Sequence, residues 1–264
     1  MSDSTPVVIA ERTAEDIVIL TVSRPSHRNA LSLEVVEALR AEVARVASDE
    51  SVRALVLTGA GGVFVSGADI AELKERTRAD AMRRINTSLF RAIESLPFPT
   101  IAAIEAYALG GGLELALACD LRVGTASSRY GQPEVGLGII PGAGATYRLP
   151  RVVGLGHARE LIFTGALISA EHAHRIGLLN RITPDGGALD GALELARTIS
   201  RHSGLAVRFS KSLLNLSQEL TVDAAMAYES TAQAVLFETE DKRARMSAFL
   251  ERRSGKSTPP RSSE

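Results

Sequence analysis

Two short stretches constrain this chain more than any other feature. VRALVLT at residues 52–58 and TIAAIEA at 100–106 carry almost no polar face, and each leads through glycines into a helical pattern. A strand wet on one side alternates apolar and polar residues, whereas a strand covered on both sides does not. LRVG at 121–124 extends the rhythm, so the order strand, helix, strand, helix, strand predicts an α/β fold with largely parallel pairing. A hairpin over VVIAER and DIVILTVS precedes it, stopped by Pro25, and Ser32 is placed to cap a helix over LEVVEALRAEVARVA. A polar helical region is expected from about residue 70 to 96, ended by Pro97 and Pro99. The stretch from 130 to 154 is too rich in Gly and Pro for regular elements and too apolar for a wet loop, which suits a pocket lining. Helix resumes at 156. Ser169 is expected to cap a short helix, LLNRIT to form a strand, and helices to follow over about 187–202, 204–217, 221–237 and 239–253. Residues 1–6 read as frayed, and 254–264, SGKSTPPRSSE, as a disordered tail.

Composition narrows the function. With 264 residues the chain can bury a sizeable core, and 45% hydrophobic and 23% charged residues are ordinary for a soluble globular protein. A formal net charge of -1, without a basic stripe, offers no field for nucleic acid or a membrane surface. No stretch approaches the roughly 18 apolar residues of a membrane span, and no basic, apolar secretory signal opens the chain, so a cytoplasmic location is expected. Cys119 is the single cysteine, which excludes an internal disulfide or a Cys-rich metal site; among apolar neighbours it reads as a core thiol.

The chemistry concentrates in AYALGGGLELALACD, residues 106–120. Gly110, Gly111 and Gly112 permit positive φ and close backbone approach, and a helix starting in them points free N–H groups outward. Such donors, at the positive end of the helix dipole, suit a phosphate or a carbonyl oxygen that becomes negative during reaction. Glu114 follows among Leu and Ala. A carboxylate there is either favoured by the dipole at a helix start or costly to bury and therefore functional, and the stretch alone leaves both readings open. Glu134, after Gly-Gln-Pro and beside Val135, Leu137, Ile139 and Ile140, is a second acid in apolar company.

Other motifs fail on inspection. Gly59-Ala60-Gly61 lacks the third glycine of a dinucleotide fingerprint, with Phe64 in its place, and Gly142 and Gly144 meet Tyr147 there. No Walker A pattern exists. Ser66 is flanked by Phe64 and Ala68, not by the glycines of a nucleophile elbow. His172 and His174, at i and i+2, do not share a helix face as metal ligands must. Paired carboxylates also serve glycosidases, but the chain has no Trp and only 4% aromatics to stack on sugars. What survives is two acids with glycine-rich N–H donors. Two acids in one apolar cleft have separated pKa values, so one can hold a proton while the other takes one, as adding water across a double bond requires. The enolate-like intermediate needs two donors at one point, available from Gly111 and the Ser66-Gly67-Ala68-Asp69 segment. Nothing in the sequence places Glu114 opposite Glu134.

Five ordered motifs, RPSHRNALS, FVSGADIAEL, AYALGGGLELALACDLRV, YGQPEVGLGIIPGAGATYRLPRVVG and TEDKRARMSAFLERR, resemble the enoyl-CoA hydratase/isomerase (crotonase) family, and the likeness runs over nearly the whole chain. The resemblance implies a crotonase-like spiral of ββα units over residues 1–200 with an acyl-CoA site. It further implies a C-terminal helical trimerisation region over 201–253, commonly assembling as a homotrimer or as a hexamer of two trimers. The implied activity belongs to fatty acid metabolism: an enoyl-CoA hydratase, a lyase turning trans-2-enoyl-CoA into 3-hydroxyacyl-CoA, with no cofactor beyond the coenzyme A of the substrate and no metal. The amides of Ala68 and Gly111 would form the oxyanion hole. Glu114 would mainly activate water, and Glu134 would mainly exchange the proton at C2. Arg24, Ser66, Asp69 and Ile70 lie on segments that run along the CoA moiety in relatives. Glu105-Ala106 stands where relatives often have Asn-Gly, and Ser66 replaces a usual Ala. Alternatives within the resemblance are double-bond isomerisation or hydration of a branched or carboxylated acyl group. RNA binding, known in some relatives, finds no basic or stacking motif here.

Overall fold

Alternate residues of the apolar strands point to opposite faces, and both faces are buried. The computed structural model describes residues 6–217 and 219–253, so the expected tail at 254–264 and most of the frayed start lie outside the described residues. β1 (Val8–Arg12) pairs antiparallel with β2 (Ile17–Val22), as the hairpin pattern predicts. Then come α1 (Leu33–Ala47), capped by the Ser32 side chain on Val35 N, and β3 (Ala54–Gly59). α2 (Ile70–Glu75), α3 (Arg78–Met82) and α4 (Ile85–Glu94) follow, before β4 (Thr100–Ile104), β5 (Tyr107–Leu109), α5 (Gly111–Leu117), β6 (Leu121–Thr125) and β7 (Arg129–Gly131). A 3-10 turn over Pro133–Leu137 leads to α6 (Ala145–Thr164), β8 (Ile168–Ser169), α7 (Ala170–Arg175), β9 (Arg181–Thr183) and α8 (Ala188–Ser200).

The main sheet runs β1-β2-β3-β4-β6-β9, parallel from β2 onward, and β5-β7-β8 form a small second sheet. Val18, Leu20, Leu55, Leu57, Ala102 and Ile104 face a core built with α1, α4 and α5. The alternate residues, Ile17, Ile19, Val56, Ile101, Ala103 and Val123, face α8, which presents Ala188, Ala192 and Ala196. That is the physical content of strands without a polar face. Contact density divides the chain into residues 1–200 and 201–264. The second unit holds α9 (Gly204–Leu216), α10 (Val222–Phe237) and α11 (Glu240–Arg253), with α10 touching the other two; Val222, Met226, Tyr228, Phe249 and Leu250 are exposed on it. No helix among the described residues is long and apolar enough to cross a membrane.

Two expectations are corrected. The polar region 70–96 is three helices: Thr77 and Asp80 form a capping box that restarts the chain at α3, and Arg84, at φ +52°, separates α3 from α4. The stretch 130–154 is not wholly irregular, because α6 begins at Ala145, eleven residues before the expected onset. Pro150 sits within it, and Gly154, at φ +79°, kinks it. Glu105, the unusual acid at the end of β4, accepts the amides of Gly186 (3.2 Å) and Ala188 (2.9 Å), fastening the start of α8 to the sheet. Its neighbour Ala106 takes φ +52°, a region L side chains enter at a cost.

α5 lies against the backbone of a neighbouring segment with no room to spare. A Cβ added to Gly112 would sit 2.0 Å from the Val65 carbonyl oxygen, so Gly112→Ala must push α5 off its neighbour. A loss of about 3 kcal/mol or more is expected in urea unfolding, the range of severe overpacking. Gly156→Ala, which meets nothing within 4 Å, is expected to stay within about 0.5 kcal/mol.

Candidate active site

The loop Arg24–Leu31 is shaped by one buried amide. Asn29, at φ +57°, donates through Nδ2 to the carbonyls of Ala60 (2.9 Å) and Val63 (2.6 Å) and accepts the Arg24 amide through Oδ1. From there Leu31 forms a parallel bridge with Ala68: Leu31 N donates to Gly67 O (2.8 Å) and Asp69 N donates to Leu31 O (3.0 Å). In such a bridge the Ala68 amide points the other way. What it points toward is α5. A Cβ on Gly111 would lie 3.4 Å from Ala68 N, and Gly111 is the first residue of the helix, whose amide has no intrahelical acceptor. Two outward amides therefore stand side by side, one of them on a helix dipole.

These residues border a cleft of about 590 Å³. Ser66, Ala68, Asp69, Ile70, Gly111 and Glu134 all line it. Arg24 and Glu114 are not among the lining residues; Arg24 Nη1 bonds Asp69 Oδ2 at 2.6 Å. This guanidinium holds the Asp69 carboxyl below its ordinary range, against the opposing effect of burial. Asp69 Oδ1 in turn caps α2 by accepting from Ala71 and Glu72, so the pair fixes the segment that carries Ala68.

Glu114, one turn into α5, is buried, and its Oε1 accepts the amides of Ala143 (2.7 Å) and Ala145 (3.0 Å). Burial raises its pKa; the amides of Ala145, Ala143 and Gly144 and the charge of Arg148 pull it partly back. Glu134 is brought to the other side of the glycine run. Its Oε1 lies 2.9 Å from where a Gly110 Cβ would be, and Gly110 has φ +48°, so only glycine admits the acid there. Burial pushes Glu134 up to about 7, opposed by its own backbone amide and reinforced by the Glu114 charge. The two acids that the sequence could not place together are thus electrostatic neighbours.

Sequence reasoning missed several participants. Buried Gln132, oriented with its nitrogen toward Glu134, donates to both carboxylate oxygens at 3.0 Å. Ser26, His27 and Arg28 line the cleft beside Tyr107, where the sequence drew attention only to Arg24. The 143–145 amides carry no letter of their own; only the Gly142 and Gly144 spacing marks them. Among the described residues no group of three His, Cys, Asp or Glu side chains is gathered as for a metal ion.

Residues 12–258 match the family described as enoyl-CoA hydratase/isomerase. A short-chain-enoyl-CoA hydratase of Clostridium acetobutylicum is 41% identical over 249 residues, covering 93% of this chain and 95% of that protein. A 2,3-dehydroadipyl-CoA hydratase of Escherichia coli is 39% identical over 237 residues, covering 90% and 93%. Among solved structures, an enoyl-CoA hydratase from Bacillus anthracis superposes with a TM-score of 0.89 at 34% identity, covering 93% of this chain and 96% of that one.

The raised pKa of Glu134 has a stability consequence. Its proton stabilises the fold fully below the ordinary value of 4.5, and that contribution is lost as pH rises to about 7. At about 1.4 kcal/mol per unit, the buried charge costs on the order of 3 kcal/mol above neutrality. Glu134→Gln is therefore expected to melt higher than the wild type at pH 8, with the advantage shrinking toward pH 5 in paired thermal scans.

Proposed function

The chain belongs to the enoyl-CoA hydratase/isomerase family, and we propose that it is an enoyl-CoA hydratase acting on short or medium trans-2-enoyl-CoA thioesters. The observation that carries this reading is two buried acids of raised pKa flanking a glycine run whose amide, with that of Ala68, faces one cleft. The thioester carbonyl accepts from the Ala68 and Gly111 amides, which also bind it more tightly as its oxygen turns negative. Glu114, ionised, takes a proton from water as the oxygen attacks C3. The π electrons move onto the carbonyl oxygen, and Glu134, protonated, delivers its proton to C2 as the enolate collapses. An acid whose pKa lies near neutrality suits that donor role, and Gln132 holds its two oxygens in place.

Arg28 brings positive charge to the cleft beside His27, where the phosphates of coenzyme A would lie, and Ser66, Asp69 and Ile70 would run along the CoA moiety. Arg24 would act on the substrate through Asp69. The substrate brings its own coenzyme A; no further cofactor enters the proposed steps. Assembly as a homotrimer, or a hexamer of two trimers, through the exposed apolar residues of α9 to α11, and a place in cytoplasmic fatty acid metabolism complete the reading.

The assay is loss of the ultraviolet absorbance of the conjugated enoyl thioester when crotonyl-CoA and longer, branched and carboxylated homologues are added. Hydration of at least one is expected, and none hydrated means the assignment is wrong. Glu114→Gln and Glu134→Gln are each expected to lose at least ~10²-fold in kcat while remaining folded. Because the C2 proton comes from Glu134, kcat/KM for hydration is expected to fall as pH rises through about 7. A flat profile across that range would remove Glu134 from the proton-donor role.

A further inference from the structure

Arg148 is a buried cation outside the lining of the cleft, with 3% of its side chain exposed. Its Nε and Nη2 bond the two oxygens of Glu94 at 3.3 and 3.0 Å, and Arg91 bonds Glu94 from the other side at 2.8 Å. Burial pushes the Glu94 carboxyl up, but the bonds from Arg148 and Arg91 outweigh it and hold it below its ordinary range, so the Glu94–Arg148 pair is ionic. The remaining arm, Nη1, donates to Ala143 O at 3.0 Å, and the Arg148 amide donates to Gly144 O at 2.8 Å.

The turn 143–145 therefore has two chemical faces. Its carbonyls are occupied by Arg148, and its amides hold Glu114 Oε1. The Ala143 carbonyl and the Gly144 amide belong to one conjugated peptide unit, so a cation on the oxygen polarises the N–H on the far side. Space enforces the arrangement: Gly144 has φ +128°, and a Cβ there would sit 2.0 Å from Arg148 Nη1.

We propose that Arg148, braced by Glu94, is a positioning residue for Glu114: it fixes the 143–145 turn and keeps the Glu114 carboxylate charged, ready to take the proton of water. The proposal rests on the hydratase reading for its kinetic test, though not for its spectroscopic one. Among the described residues, the ionisable groups facing Glu114 are Arg148 from α6, with Tyr147 of the same helix under its guanidinium and Glu94 and Arg91 of α4 behind it, and Glu134 from the 3-10 turn. β5 brings only Tyr107, and α5 itself holds no other ionisable side chain. Among the described residues Arg148 is thus the cation set against one neighbouring acid. Removing it lets the Glu114 pKa climb, and the acid limb of the pH profile climbs with it.

The test uses the full chain with Arg148→Met, Arg148→Lys and the double variant Arg148→Met/Glu94→Gln, which leaves no unpaired carboxylate behind. For Arg148→Met, kcat for crotonyl-CoA hydration is expected to drop ~10–100-fold with KM within about 3-fold, since the Ala68 and Gly111 amides are untouched. Its acid limb is expected to move up by about half a unit or more. Arg148→Lys, which keeps charge but not the fork, is expected to hold the limb near its wild-type place while kcat stays low. The Glu114 carboxyl, identified in 13C NMR by its loss in Glu114→Gln, is expected to titrate higher in Arg148→Met and in the double variant. An unchanged Glu114 titration in folded Arg148→Met, a shift that vanishes in the double variant, or a rise in KM alone would overturn the proposal. If the wild type hydrates nothing, the activity reading fails by itself, and the carboxyl titration still decides the role of Arg148.

Discussion

The approach of α5 to the segment Val65–Ala68 sets the terms for the rest of the site. Because the Val65 carbonyl occupies the space a side chain at 112 would need, the helix starts close enough for the Gly111 and Ala68 amides to face the same cleft. The same closeness carries Glu114 below the surface. An acid so placed must find donors, and it finds backbone amides, which cost no side-chain ordering and do not titrate. Glu134 enters on the opposite side, where only the bare backbone of Gly110 leaves room for its carboxylate. Each glycine of the run thus answers to a different neighbour, and the sequence GGG records three separate contacts.

Charge is handled differently at the two acids. Glu114 is buried more deeply but sits against an amide turn backed by Arg148. Glu134 has a side-chain amide and its own backbone amide for company and feels its neighbour's charge, which leaves it near neutrality. An asymmetric pair results from environments, not from residue types, since both are glutamates. Asp69, at the cleft wall, is held in an ion pair with Arg24 behind it. By capping α2 it holds the Ala68 segment in register with Leu31.

Much of this was legible in the chain. Strands without a polar face predicted a doubly covered parallel sheet, and the two cores on either side of it are the reason. Glu114 and Glu134 stood out because acids among Leu, Ala, Val and Ile are costly, but their proximity entered only through resemblance to a family. The start of α6 was hidden by Pro150 and Gly154, which read as breakers yet are accommodated by a kink, and the division of 70–96 was hidden because a capping box in mid-helix looks like one more polar turn. The amide turn at 143–145 and the bridge from Leu31 to Ala68 are backbone features, for which side-chain identity is a poor witness. Gln132 carries no such mark, because an amide beside a proline has no sequence signature of proximity to an acid.

The order of the main sheet bears on how the chain comes together. Strands β1, β2, β3, β4 and β6 join in the sequence in which a ribosome delivers them, each on the edge left open by the last, so most of the sheet can grow without waiting for distant chain. The edge of β6 is the exception. Its partner β9 and the Glu105 clasp on α8 come from about sixty to eighty residues downstream, and until they emerge a strand with unpaired amides and carbonyls lies open to any other chain nearby. Glu105, by accepting the amides at the start of α8, therefore acts on the last-formed closure of the sheet.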